Sequence, residues 1–284
     1  MERVFESRVR IVIVLSLLLV VLGSLVPFVK VPVEYLNYGR LFTSILFLGL
    51  PIVLLFYGSE FRWKPRAVFL VFVLCIAVTG FFIFISRIPM GMPVLVVIFA
   101  ILGLLTVYWT GALGVFVSFL FRERNIVVPA VIVLMAVDFL VVMTPRGTVQ
   151  VAMESEVGRE IFQSVAYKIP EFGMASPMIF IGPADFLFLA MFFSVMHRFR
   201  LRVFWTMFAV VIALLFYLVL AGYLVGREFF GVKIYGLPAL VPIGMAVLLV
   251  NAGEFRMSKQ EKYMTGGVIF VCLVLIYLML FVLR

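Results

Sequence analysis

The chain is a succession of apolar runs, each near the length of a membrane crossing, separated by short polar connections. They cover residues 9–30, 41–57, 67–86, 92–121, 126–144, 178–197, 203–225, 235–252 and 264–283. At ~1.5 Å per residue, about 20 residues traverse a ~30 Å hydrocarbon core, so each run is expected to form one spanning helix. Hydrophobic residues make up 65% of the chain and charged ones 13%; a soluble domain carries about 25% charged. Soluble globular and disordered chains are therefore excluded. The expected fold is an all-α polytopic transmembrane bundle of about nine helices. The first run is too long for a signal-peptide core and has no small-residue cleavage site after it, so it is expected to remain as a span.

Run 92–121 is long for one helix and short for two. One long tilted helix places most of the 23 Lys and Arg residues on the N-terminal side of the membrane, whereas a split leaves the two sides nearly equal. The positive-inside bias favours the single helix, with a cytoplasmic N-terminus in a cell membrane. The net charge of +9 is then explained by a basic inner face against anionic lipid. Membrane lipid is the expected partner, and no nucleic acid is implied.

Polar chemistry is scarce. One histidine, His197, and two cysteines, Cys75 and Cys272, leave no Cys/His metal site and no disulfide framework. A zinc protease needs His-Glu-x-x-His, which one histidine cannot supply. A Ser-His dyad would need His197, which sits at a helix end in His-Arg-Phe-Arg and reads as part of a cationic rim. All but two of the 14 carboxylates fall in tails or loops, where solvated charge is expected. The exceptions are the only aspartates, Asp138 and Asp185, both inside apolar runs. An ionised carboxylate at mid-helix costs roughly 2.5–3.5 kcal/mol on insertion scales, so such a residue needs a partner, a wet cavity or a task.

The two aspartates lie on consecutive runs joined by one long loop, 146–177. Counted from the loop-side ends, Thr144 and Met178, both lie ~9–10 Å below one membrane face at ~1.5 Å per residue. Two carboxyls sharing a dry site tend to hold one proton between them. That suits aspartic-protease chemistry, with one group as general base and the other as acid. The alternative is a proton relay in a coupled transporter or channel.

Three local sequences carry a resemblance. Ala136-Val137-Asp138, followed by Pro145-Arg146-Gly147, resembles the segment with the first catalytic aspartate in the presenilin/signal peptide peptidase superfamily. Gly182-Pro183-Ala184-Asp185 resembles its Gly-x-Gly-Asp motif, and Gly236-Leu237-Pro238-Ala239-Leu240 its Pro-Ala-Leu motif. The motifs occur in the family's order over roughly residues 125–252, which is the pattern of a microbial presenilin-like homologue. The resemblance implies an intramembrane aspartic endopeptidase without cofactor or metal, acting on transmembrane segments or remnant signal peptides. Asp138 and Asp185 are implied as the catalytic dyad. Gly182, Pro183, Ala184, Pro238, Ala239 and Leu240 are implied to border substrate. Val137 departs from the family's tyrosine and Ala184 from its second glycine, where a missing Cβ lets a backbone approach closely. Prepilin-peptidase relatives share Gly-x-Gly-Asp but lack Pro-Ala-Leu. An inactive homologue that binds helices stays open because of Ala184.

On this reading residues 1–124 are scaffold helices, 125–252 the catalytic core and 253–284 an extra C-terminal helix. A cleaved peptide must leave its helix and find new hydrogen-bond partners, because lipid offers none. Thr148–Val151 and Met178–Ile181 are expected as strand edges that could supply them. Met153, Val157, Ile161 and Val165 recur at every fourth position and predict an amphipathic surface helix in the long loop. Gly222-x-x-x-Gly226 reads as internal helix packing rather than a dimer contact, which leaves a homo-oligomer open.

Overall fold

The computed structural model describes residues 2–61, 63–144, 147–173, 179–229, 232–234 and 236–282. Its helices in chain order are α1 (Glu2–Leu25), α2 (Leu36–Ser59), α3 (Pro65–Ser86), α4 (Met92–Ser118), α5 (Val127–Met143), α6 (Thr148–Glu154), α7 (Glu156–Val165), α8 (Pro183–Phe199), α9 (Val203–Leu224), α10 (Leu240–Asn251) and α11 (Lys259–Tyr277). Strand β1 (Tyr167–Ile169) pairs antiparallel with β2 (Ile179–Ile181), with Tyr167 opposite Ile181. Strands β3 (Glu228–Phe229) and β4 (Val232–Lys233) form a second short hairpin.

Seven helices among the described residues are long and apolar enough to cross a membrane, which makes this an all-α, multi-pass membrane protein. Run 92–121 forms one helix, α4. Two expected spans are shorter than drawn: α8 has 17 residues and α10 has 12. Each loses its N-terminal end next to a proline, Pro183 in one and Pro238 in the other. Proline disfavours helical backbone in the residue before it. Hydroxyls in the spans bond back into their own helices: Ser16 donates to Val12 O, Thr79 to Cys75 O and Thr106 to Leu102 O. That satisfies them where lipid cannot.

The chain forms two compact units, residues 1–119 with 163–197 and residues 120–162 with 198–284. Segment 125–252 thus contributes to both. In the first unit α4 packs against α1, α2 and α3, and Tyr108 of α4 bonds Ser16 of α1 at 2.7 Å. Helix α8 buries Phe186, Leu189, Phe192, Phe193 and Met196. It crosses α4 at Gly114, where a Cβ would run into the Leu187 carbonyl oxygen and lie 2.9 Å from the Met191 nitrogen. Ser118 and Ser194 bond across the same crossing at 2.9 Å.

In the second unit α10 packs on α5 and α9, and α11 on α5. Asn251, fully buried, ties α10 to α9. Its Nδ2 donates to Thr206 Oγ1 at 2.8 Å and Val247 O at 2.9 Å, and its Oδ1 accepts from Arg202 N at 2.9 Å.

Three local expectations are corrected. Thr148–Val151 is the first turn of α6 and not a strand. Gly147 is extended there, and its carbonyl accepts the Val151 N–H at 3.1 Å. A four-residue alternation without a partner strand does not hold against a helical turn. The amphipathic stretch is not one helix, because Ser155 is extended and breaks it. The Ser155 hydroxyl accepts the Gly158 N–H at 3.3 Å, so it caps α7. Val157 and Ile161 still share an exposed α7 face. Finally, Gly222 meets no neighbour within 4 Å, and Gly226 lies beyond the end of α9 with φ +89°, where it turns the chain toward β3. The Gly-x-x-x-Gly spacing therefore packs no helix in the described residues.

Candidate functional site

Asp138 sits five residues before the end of α5, in the half of the helix where the backbone dipole is negative and disfavours a carboxylate. Its compensation comes from another segment. Leu240, the first residue of α10, donates its backbone N–H to Asp138 Oδ2 at 2.8 Å. An N–H in the first turn of a helix has no intrahelical acceptor, and in a membrane no water replaces it. Asp138 supplies that acceptor, and the positive end of α10 faces the negative charge. Pro238 and Leu240 are buried and Ala239 half-buried as the residue before the helix. The structure thus brings the first aspartate and the Pro-Ala-Leu segment together within the second unit. Val137, next to Asp138, is 48% exposed.

Asp185 belongs to the first unit and is the third residue of α8. The expected depth for this residue assumed a helix from Met178. That residue and Pro177 lie outside the described residues, and Ile179–Ile181 is strand, so Asp185 stands in the first helical turn. A carboxylate there is favoured by the positive helix end. Its own N–H bonds the Gly182 carbonyl at 3.1 Å, and a Cβ on Gly182 would lie 3.4 Å from Asp185 Oδ2. Gly182 is therefore the close neighbour of this carboxylate. Pro183 opens α8 with its missing N–H at no cost. Ala184 is exposed, so its methyl group does not serve the packing of α8.

One cluster escaped the sequence reading. Glu171, expected as a solvated loop carboxylate, is 1% exposed and accepts from Arg40 Nε of α2 at 3.1 Å. Its other oxygen has no hydrogen-bond partner among the described residues. Next to it, Phe172 lies against Gly39, where a Cβ would come within 2.9 Å of the ring. The Lys168 ammonium sits 4.2 Å above the Phe99 ring of α4, and burial holds its pKa below the usual lysine range. Tyr167 meets the Phe186 ring edge-on at 5.2 Å. Segment 167–172 is thereby fixed on α2 and α4, and β1 carries β2, which leads into Gly182 and Asp185. Nothing in the local sequence marks Glu171, because its cation is 131 residues away. His197 is also more enclosed than a rim residue. Its ring lies 5.2 Å from that of Phe56, and its Nε2 is buried.

Among the described residues no group of three or more His, Cys, Asp or Glu side chains could hold a metal ion. No family model, no curated protein and no solved structure matches the chain.

Proposed function

We propose that this membrane protein is an intramembrane aspartic endopeptidase of the presenilin/signal peptide peptidase type, with Asp138 and Asp185 as its dyad. The observation that carries this reading is the hydrogen bond from Leu240 N–H to Asp138, which joins two of the three motifs across 102 residues of sequence. A helix-start donor fixes the orientation of a carboxylate, as a general base requires. In the reaction, the ionised carboxylate takes a proton from water while the water oxygen attacks the scissile carbonyl carbon. The protonated partner gives its proton to the carbonyl oxygen, forming a gem-diol. On collapse the C–N bond breaks, the amine takes the proton held by the first carboxyl, and a gem-diol hydroxyl returns its proton to the second.

Substrates on this reading are transmembrane segments or remnant signal peptides in a cell membrane, with the enzyme's N-terminus in the cytoplasm. The substrate unwinds and extends along the β1–β2 hairpin, and Ala184 narrows the approach to Asp185. The test is cleavage of a labelled transmembrane peptide by purified wild type, Asp138→Asn and Asp185→Asn. Each substitution is expected to lower turnover by about 10²–10⁴-fold, the usual contribution of a general acid or base. Retained cleavage in either folded variant removes the dyad. Proton flux in liposomes without cleavage by wild type would replace the protease with a transporter.

A further inference from the structure

A cavity of about 270 Å³ lies in the first unit, walled by α1, α2, α3 and α4 and by Ala190 of α8. Its lining includes Ile13, Leu54, Gly58, Trp63, Val71 and Gly111. Ile13 is 52% exposed and Trp63 38%, so the wall reaches the outer surface of the helices. The polar groups of the wall are already used. Tyr108 bonds Ser16, Ser59 donates to Phe56 O at 2.9 Å, and Trp63 Nε1 donates to Gly58 O at 2.9 Å. Water would find no partners there, and an apolar hole of about 150 Å³ already suffices for benzene. Among helices of membrane-crossing length, hydrocarbon is the available occupant.

One end of the cavity is different. Between the lining residues Ser59 and Phe61, Glu60 forms an ion pair with Arg8 at 2.7 Å. Immediately after Trp63, Lys64 and Arg66 are exposed at the start of α3. An indole beside exposed cations is the usual composition of a membrane–water boundary. An apolar shaft ending in a basic rim matches an acyl chain joined to an anionic headgroup.

We propose that this cavity binds one acyl chain of an anionic membrane phospholipid, with the headgroup phosphate at Lys64 and Arg66. The proposal is independent of the protease reading. Gly58 provides its test, because a Cβ there meets nothing within 4 Å although the residue lines the cavity. A side chain at this position therefore leaves α2 into open space on a residue that lines the cavity.

The experiment uses the full chain carrying Trp109→Phe and Trp205→Phe, so that Trp63 is the remaining tryptophan. It is reconstituted in phosphatidylcholine vesicles with increasing fractions of phosphatidylglycerol brominated along its acyl chains. Quenching of Trp63 should saturate while the brominated lipid is still a minor component. Gly58→Leu, or Ala112→Leu filling the cavity from α4, should abolish the saturation and leave quenching proportional to bromolipid content. Lys64→Gln with Arg66→Gln should raise the fraction needed by roughly tenfold or more. Proportional quenching without either filling variant, or quenching unchanged by both, overturns the site. Equal saturation by brominated phosphatidylcholine overturns the anionic headgroup.

Discussion

The two aspartates solve one electrostatic problem in opposite ways. Asp185 stands in the first turn of α8, where the positive helix end favours a carboxylate. Asp138 stands in the unfavourable half of α5 and is held by the start of α10, a segment 102 residues later. The first position is favoured by the aspartate's own helix, the second by a helix that follows far along the chain. A charge placed by a second helix fails when either member is altered, and its loss disturbs both.

That contrast can be broken by substitution, and the largest expected effect on stability lies in the Asp185 unit but away from the aspartate. Arg40→Ala leaves Glu171 buried without its cation and should cost about 3–5 kcal/mol, read as a fall in the thermal midpoint in detergent. A negligible change would mean that the other contacts of segment 167–172 hold it without the ion pair. Next, Asp138→Ala strands the Leu240 N–H and should destabilise by about 1–3 kcal/mol. Asp138→Asn keeps an acceptor oxygen and should recover most of that loss. Equal stability of the alanine and asparagine variants would show that the hydrogen bond has no structural role.

By comparison, the helix-start contribution at Asp185 is about 0.3–1 kcal/mol, which Asp185→Asn should remove as a small fall in the thermal midpoint. A loss as large as that of Asp138→Ala would mean that the helix start is not what sets the worth of this charge. The smallest effect concerns pH. Lys168 is held below the usual lysine range by burial, so below that lowered value its charge weakens the fold. As pH rises toward the ordinary value of about 10.4, the folded chain releases this proton before the unfolded chain does, and stability climbs. Lys168→Met should start more stable near neutrality and lack that rise. Parallel pH–stability curves for the two proteins would contradict it.

The helices were legible because membrane crossing imposes length and apolarity on each segment separately. Even the undivided α4 could be argued from charge bias across its flanks. Short polar connections were less legible. Thr148–Val151 alternates like a strand yet winds into α6, since alternation over four residues decides nothing without a pairing partner. Met178–Ile181 looked the same, and Ile179–Ile181 is a strand because Tyr167–Ile169 pairs with it. Pro183 also shortened α8, which moved Asp185 from the assumed helix interior to its first turn. Glu171 could not be placed by any local rule, for its burial depends on Arg40 of α2.

By itself, the sequence determined that the chain is a helical membrane protein and that only two carboxylates, Asp138 and Asp185, stand within its apolar runs. Both follow from the cost of exposing polar groups to hydrocarbon, which each segment meets alone. Only the tertiary structure decided that Leu240 caps Asp138, that Arg40 neutralises Glu171 and that Gly114 sets the crossing of α4 and α8. Those contacts join residues far apart in the chain, and their geometry exists only after the helices have packed.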